Sequence, residues 1–205
     1  MKKYLLPILF YLISSLIISI PLIIAFFFNF DIEILNKTID MLKFKLNILT
    51  IILMVFVMVT MFTLDIFIIK NRDTFENNYK NITNLIGNKH NIFLNLVLSF
   101  LSGYFEELLF RCYLFLLLNL IIPNIFINIT IISIIFGLLH ITQKSIGVIL
   151  SFVISIFFFL SILLSNTVIY AMVFHGLFNF IELSFIFPYQ LSKFSGDRDK
   201  KIVEL

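Results

Sequence analysis

Charged residues are scarce in this chain: Asp, Glu, Lys and Arg make up 13% of its 205 residues, against about 25% in a soluble domain. Hydrophobic residues reach 60%, and the mean hydropathy is +1.08. Because a helix that crosses lipid takes about 20 residues, a chain of this length has no room for a sizeable domain outside the bilayer. The composition excludes an ordinary soluble protein and predicts a polytopic membrane protein.

Cysteine and clustered basic residues are also scarce. The single cysteine, Cys112, excludes an intrachain disulfide framework and a multi-cysteine metal site, and we interpret it as a small packing residue. The formal net charge is only +3, and the 15 Lys and Arg residues are spread over short segments. No nucleic-acid partner is therefore expected.

Long uncharged runs predict an all-α, polytopic transmembrane bundle of about six spans. We expect residues 1–205 to form a single transmembrane domain, with two accessory N-terminal helices within residues 1–70. An Asn- and Lys-rich stretch from Lys70 to Lys89 predicts a polar loop, and His90 after it is expected to be solvated. The predicted spans run from Tyr4 to Phe28, Leu46 to Ile69, Ile92 to Ile122, Ile125 to Ile141, Ile146 to Leu164, and Thr167 to Phe187.

The distribution of Lys and Arg predicts the orientation of these spans. If the loops alternate sides, eleven of the basic residues fall on the side of the N-terminus and three on the other side, while Arg111 lies within a span. The positive-inside rule then places both termini in the cytoplasm. The lipid bilayer is the predicted environment, as a multi-pass protein of a cell membrane, and heavy use of Ile, Asn, Lys and Phe is typical of an AT-rich bacterium.

Ionisable residues inside spans are costly and usually face a protein interior or a wet cavity. The third run contains Glu106, Glu107 and Arg111. Glu107 and Arg111 are four residues apart and can pair on one helix face, whereas Glu106 points about 100° away. One carboxylate is thus predicted to be paired, most simply as a structural ion pair, and the other is available for chemistry.

Histidines occur in two other runs, at His140 and at His175, and Asn179 follows the second by one turn. Counting about 1.5 Å per residue from the outer end of each span places these side chains and Glu106 in a shared layer. We therefore expect one wet cavity. Other interpretations stay open: Glu106 as a buried protonated carboxyl, Asn179 as an interhelical hydrogen-bonding residue, and Glu182 as a structural group.

A glutamate and histidines around water are the minimum for general-base hydrolysis. His175 and Asn179 both carry N–H donors and can stabilise the oxyanion of a tetrahedral intermediate. Zinc is possible with ligands of these types, but no H-E-x-x-H spacing exists and the donors come from separate helices. We expect no cofactor, and neither a metal nor any other group is required.

Three ordered motifs now point to a family. The segments E-E-L-L-F-R at 106–111, F-G-L-L-H at 136–140 and H-G-L-F-N at 175–179 resemble the EExxxR, FxxxH and HxxxN/D motifs of the CPBP family. This family, also called Abi, contains CAAX proteases and bacteriocin-processing enzymes. The resemblance covers Ser99 to Phe180, and it leaves the first two helices outside.

The resemblance implies a glutamate-type intramembrane endopeptidase. Glu106 and His140 would activate water, and His175 and Asn179 would form the oxyanion site. Glu107 and Arg111 would be accessory. One departure is that Cys112 stands where many members have glycine, which affects helix packing more than chemistry.

The implied substrate is a membrane-associated peptide or protein precursor, such as a bacteriocin or signalling-peptide precursor. Two alternatives come from other classes. One is a non-catalytic self-immunity or peptide-binding membrane protein, and the other is a small proton-coupled transporter. The absence of an internal repeat argues against a transporter. No pattern in the sequence indicates an oligomeric state.

Overall fold

The computed structural model describes residues 2–28, 32–68, 91–141, 144–186 and 188. The described residues are all-helical, with seven helices and no strand. The predicted polar loop at 70–89, His90 and the basic C-terminal tail lie outside the described residues. The orientation of the chain and its exact number of spans therefore stay predictions.

The hydropathy runs become helices with small shifts at their ends. α4 is a continuous helix of 30 residues. The helices are α1 (Lys2–Phe28), α2 (Glu33–Met41), α3 (Ile48–Ile68), α4 (Ile92–Ile121), α5 (Ile125–Leu139), α6 (Lys144–Ser165) and α7 (Ile169–Ile181), which continues as a π-helix over Glu182–Ile186.

Four helical stretches are long and apolar enough to cross a membrane, within α1, α4, α6 and α7. The described apolar parts of α3 and α5, Ile48–Leu64 and Ile125–Leu139, are shorter. All six predicted runs are thus helical, and four of them meet the length of a span among the described residues.

Local side chains explain several of the helix ends. Asn91 accepts a hydrogen bond from the backbone of Leu94 and caps α4, and Asn124 caps α5, as asparagine commonly does at a helix start. α7 begins at Ile169 and not at the predicted Thr167, because the Thr167 hydroxyl accepts a hydrogen bond from the Ile169 backbone N–H. The same hydroxyl donates to the carbonyl of Met41, which ties this turn to the end of α2.

α4 and α7 form the centre of the bundle. They approach closely because two glycines face each other: a Cβ added to Gly103 would lie 2.8 Å from the backbone nitrogen of Gly176. α1 packs on α4, α5 pairs with α6, and α3 packs against α6 and α7. This arrangement brings the motif residues of α4 and α7 side by side.

α4 contains a π-helical segment, Leu108–Leu114, directly after Glu107. A π-helix has wider turns than an α-helix and is often found at functional sites. Arg111 and Cys112 lie in this segment and are fully buried. The hydropathy pattern predicted one uninterrupted helix here, since an extra backbone residue in a turn leaves no mark on hydropathy.

Candidate active site

The two adjacent glutamates of α4 occupy different environments. The Glu107 side chain is completely buried, and its Oε2 lies 3.2 Å from Nε of Arg111. The Glu106 side chain is 18% exposed and lies on the side of α4 that faces α1 and α7. The predicted spacing thus gives a buried pair and a second, partly accessible carboxylate.

Arg111 is held by more than its carboxylate partner. Its Nη2 donates to the hydroxyl of Ser155 on α6, which in turn donates to Ser133 on α5 at 3.0 Å. The guanidinium also sits against aromatic rings, which attract a cation over their faces. The ring centroids lie 4.3 Å away for Phe136, 5.4 Å for Phe158, 5.5 Å for Phe159 and 5.9 Å for Phe110.

His175 on α7 joins the two glutamates. Its Nδ1 lies 2.7 Å from Oε1 of Glu107, and its Nε2 lies 3.8 Å from Oε2 of Glu106. The ring stacks on Phe158 at a centroid distance of 5.4 Å, which fixes its plane. Glu107 therefore orients the imidazole, and the other ring nitrogen faces the accessible carboxylate.

Asn179 lies one turn further along α7. Its amide nitrogen donates to the Ser102 hydroxyl on α4 at 3.1 Å, and Ser102 donates to the backbone carbonyl of Ser99. Asn179 therefore makes an interhelical hydrogen bond, which was one of the two open interpretations of this residue. Because an amide nitrogen carries two hydrogens, this contact leaves one N–H for another acceptor.

The hydrogen bond and the ring contact of His140 are both with its own helix. His140 is the residue that ends α5, and its Nδ1 lies 2.9 Å from the carbonyl of Phe136. Within the described part of the chain, no hydrogen bond or ion pair joins His140 to Glu106 or His175. The ring of Phe136 stands between the histidines, with centroids 4.9 Å from His140 and 6.1 Å from His175.

A residue that the motif analysis did not consider completes the surroundings of Glu106. The hydroxyl of Tyr11 on α1 donates to Oε1 of Glu106 at 3.1 Å. Tyrosine is common in membrane helices and is neutral at ordinary pH, so the presence of a charged residue within a span does not single it out. A count of all hydroxyl groups near the predicted layer would have included it.

The donor groups do not fit a zinc site. Among the residues that the structure describes, no three His, Cys, Asp or Glu side chains are grouped to hold a metal ion. Nδ1 of His175 is directed at Glu107, and Nδ1 of His140 is directed at the carbonyl of Phe136. The chemistry proposed below therefore involves water and side chains, with no step through a metal.

Comparison with known families finds a match to the part of the chain that carries the motifs. A family model described as type II CAAX prenyl endopeptidase Rce1-like matches residues 88–181, a stretch that contains all three motifs. The matched model is one of the CPBP family, the family that the three motifs resemble. The family is one of membrane-embedded proteases. Neither a curated protein nor a solved structure shows a significant match to the chain.

Proposed function

We propose that the protein is an intramembrane endopeptidase that hydrolyses a membrane-associated peptide or protein precursor with water activated by Glu106. One observation carries this proposal: a partly exposed carboxylate faces Nε2 of His175 at 3.8 Å, while the neighbouring carboxylate is buried in an ion pair. Two glutamates with separated environments are what a site needs when one acts as a base and the other as a support.

The charges of the cluster balance when all four groups are ionised. Glu106 and Glu107 supply two negative charges, and Arg111 and His175 supply two positive charges. A buried cluster with no net charge avoids much of the cost of placing ions in a low-dielectric medium. In this state both ring nitrogens of His175 are donors, so Nδ1 donates to Glu107 and Nε2 carries an N–H toward the side of Glu106.

The proposed reaction follows from these donors and acceptors. A water beside Oε2 of Glu106 loses a proton to this carboxylate, and the water oxygen forms a bond with the scissile carbonyl carbon. The N–H groups of His175 and Asn179 bind the resulting oxyanion. The C–N bond then breaks, and the proton held by Glu106 passes to the departing amine.

His140 enters this proposal as a second partner of the water. Its Nδ1–H donates to the carbonyl of Phe136, so in the neutral form of the ring Nε2 is the acceptor. Because His140 makes no direct contact with Glu106 among the described residues, the water or the substrate must stand between them. Catalytic contacts commonly tighten only when substrate is bound.

The substrate class rests on the membrane setting and on the family. We infer a small peptide or protein precursor that reaches the site from the bilayer of a bacterial plasma membrane. The predicted cytoplasmic termini place the polar layer toward the cytoplasmic half, where newly made precursors arrive. The principal alternative, a non-catalytic immunity or peptide-binding protein, uses the same helices without hydrolysis.

The test is cleavage by the purified protein in lipid nanodiscs against a panel of candidate precursor peptides. Glu106→Gln removes the base and keeps the shape of the side chain, so we expect the rate of cleavage to fall by about 10²- to 10⁴-fold. Glu33→Gln on α2 is the matched control, because the Glu33 side chain is 68% exposed, and this variant should cut like the parent. A Glu106→Gln protein that cleaves at the parent rate would refute the proposed function and favour the binding alternative.

A further inference from the structure

The N-terminal helix contributes to the candidate active site through a single side chain. α1 lies outside the matched stretch at 88–181, and on motif grounds it is only accessory. Nevertheless Tyr11 donates to Oε1 of Glu106 across 95 positions of sequence. This contact joins the proposed base to a part of the chain that the family match does not cover.

The two oxygens of Glu106 have separate neighbours. Oε1 accepts from Tyr11 at 3.1 Å, and Oε2 faces Nε2 of His175 at 3.8 Å. A carboxylate held on one oxygen cannot rotate freely about its terminal bond, so the second oxygen keeps its direction. A hydrogen bond from a neutral donor to a charged acceptor is among the stronger ones in proteins.

The tyrosine ring itself is fixed by packing. It meets Phe105 edge-on at a centroid distance of 6.0 Å and Phe10 at 5.3 Å. Two further tyrosines tie α1 to α4 through neutral partners: Tyr104 bonds the hydroxyl of Ser19 at 2.8 Å, and Tyr113 donates to the carbonyl of Ile18 at 2.9 Å. The α1–α4 interface therefore stays anchored when the hydroxyl of Tyr11 is removed.

We propose that Tyr11 is a positioning residue of the peptidase: its hydroxyl holds Oε1 of Glu106 so that Oε2 is presented to the water and to His175. This role rests on the proposed function. α1 is then a part of the active site, and the family core alone lacks one of the groups that direct the base. Tyr104 and Tyr113 act only in helix packing.

The first measurement needs no substrate. Fluorotyrosine is placed at position 11 of the full chain in nanodiscs, and the fluorine resonance reports the state of the adjacent hydroxyl. Glu106→Leu removes both acceptor oxygens and should shift the resonance of position 11, whereas the same label at position 104 should not respond. An unchanged resonance at position 11 would overturn the proposal.

The second measurement separates positioning from packing. Tyr11→Phe should lower kcat about 10-fold with KM within about two-fold of the parent, as expected when one hydrogen bond to a charged group is lost. Tyr104→Phe and Tyr113→Phe lose one hydroxyl each at the same interface and should keep kcat within about two-fold.

The outcomes separate this inference from the proposed function. A parent that cleaves, together with a Tyr11→Phe variant of unchanged kcat, overturns the role of Tyr11 and leaves the peptidase standing. Equal losses in all three tyrosine variants also overturn it, because the effect is then one of packing. A parent that cleaves none of the peptides refutes the peptidase, and the positioning role falls with it.

Discussion

Two acid–base pairs in the molecule share the same spacing and differ in their surroundings. Glu33 and Lys37 on α2 are four residues apart, as are Glu107 and Arg111 in α4. The N–O distance is 2.6 Å on α2 and 3.2 Å in α4, yet the side chains on α2 are 68% and 56% exposed and those in α4 are not exposed at all. The shorter contact, on α2, contributes less to the folding free energy, because water screens the two charges.

The exposed ion pairs of Glu33 and Asp40 still lower the pKa of these two carboxyl groups. The hydrogen bond from Lys37, and then its charge, holds the pKa of Glu33 below its usual value. In the same way the hydrogen bond and charge of Lys43 hold the pKa of Asp40 below its usual value. In the buried pair, by contrast, each ion depends on its neighbours, because removal of one partner leaves a charge without solvent.

The largest loss of folding free energy is expected when the buried cation, Arg111, is removed. Arg111→Met leaves the Glu107 carboxylate in an apolar interior with His175 as its remaining partner, which should cost about 3–5 kcal/mol of folding free energy. Thermal unfolding of the purified variant in detergent measures this loss. The double variant Arg111→Met, Glu107→Gln removes both charges and should recover much of the stability. A single variant as stable as the parent would contradict the dependence of each ion on the other.

A smaller effect is expected from the serine that supports Arg111. Ser155→Ala deletes the hydroxyl that accepts from Nη2 of Arg111 and should cost about 1.5–3 kcal/mol, the usual range for a hydrogen bond to a charged group. Ser161→Ala is the matched control, since Ser161 is buried on the same helix and donates only to the carbonyl of Phe158 within that helix. Equal unfolding temperatures for the two variants would show that the support of Arg111 adds nothing beyond a local serine contact.

The sequence was sufficient to predict the six long helices and to identify which of them carry polar groups. Long apolar runs must be helical in lipid because backbone groups have no other partner there, and all six predicted runs are helices in the structure. α2 was not predicted. It has nine residues, of mixed polarity, which hydropathy alone does not separate from a loop.

The side-chain contacts of the site required the structure. Depth along a helix axis placed Glu106, His140 and His175 at one level, but it says nothing about the direction in which each side chain points around its helix. The structure brings His175 to both glutamates and leaves His140 at the end of α5, beside Phe136. Tyr11 lay outside every motif, so no sequence pattern indicated its contact with Glu106.

The smallest effect on stability is expected for the exposed ion pair of Glu33 and Lys37. Lys37→Met removes the partner of Glu33 at the surface, so the unfolding temperature and the cleavage rate should stay at the parent values. The pKa of Glu33 should rise toward its ordinary value of 4.5, as followed by NMR titration of the labelled carboxyl carbon. Because the pKa of Glu33 is lowered in the folded protein, the contribution of this pair to stability is present at pH values above the ordinary pKa. It is lost as the pH falls through the lowered pKa.

The control is Lys43→Met, which should leave the pKa of Glu33 unchanged, since Lys43 pairs with Asp40. If Lys37→Met instead destabilised the protein as much as Ser155→Ala, solvent exposure would not explain why the exposed and the buried ion pair differ in their contribution to stability.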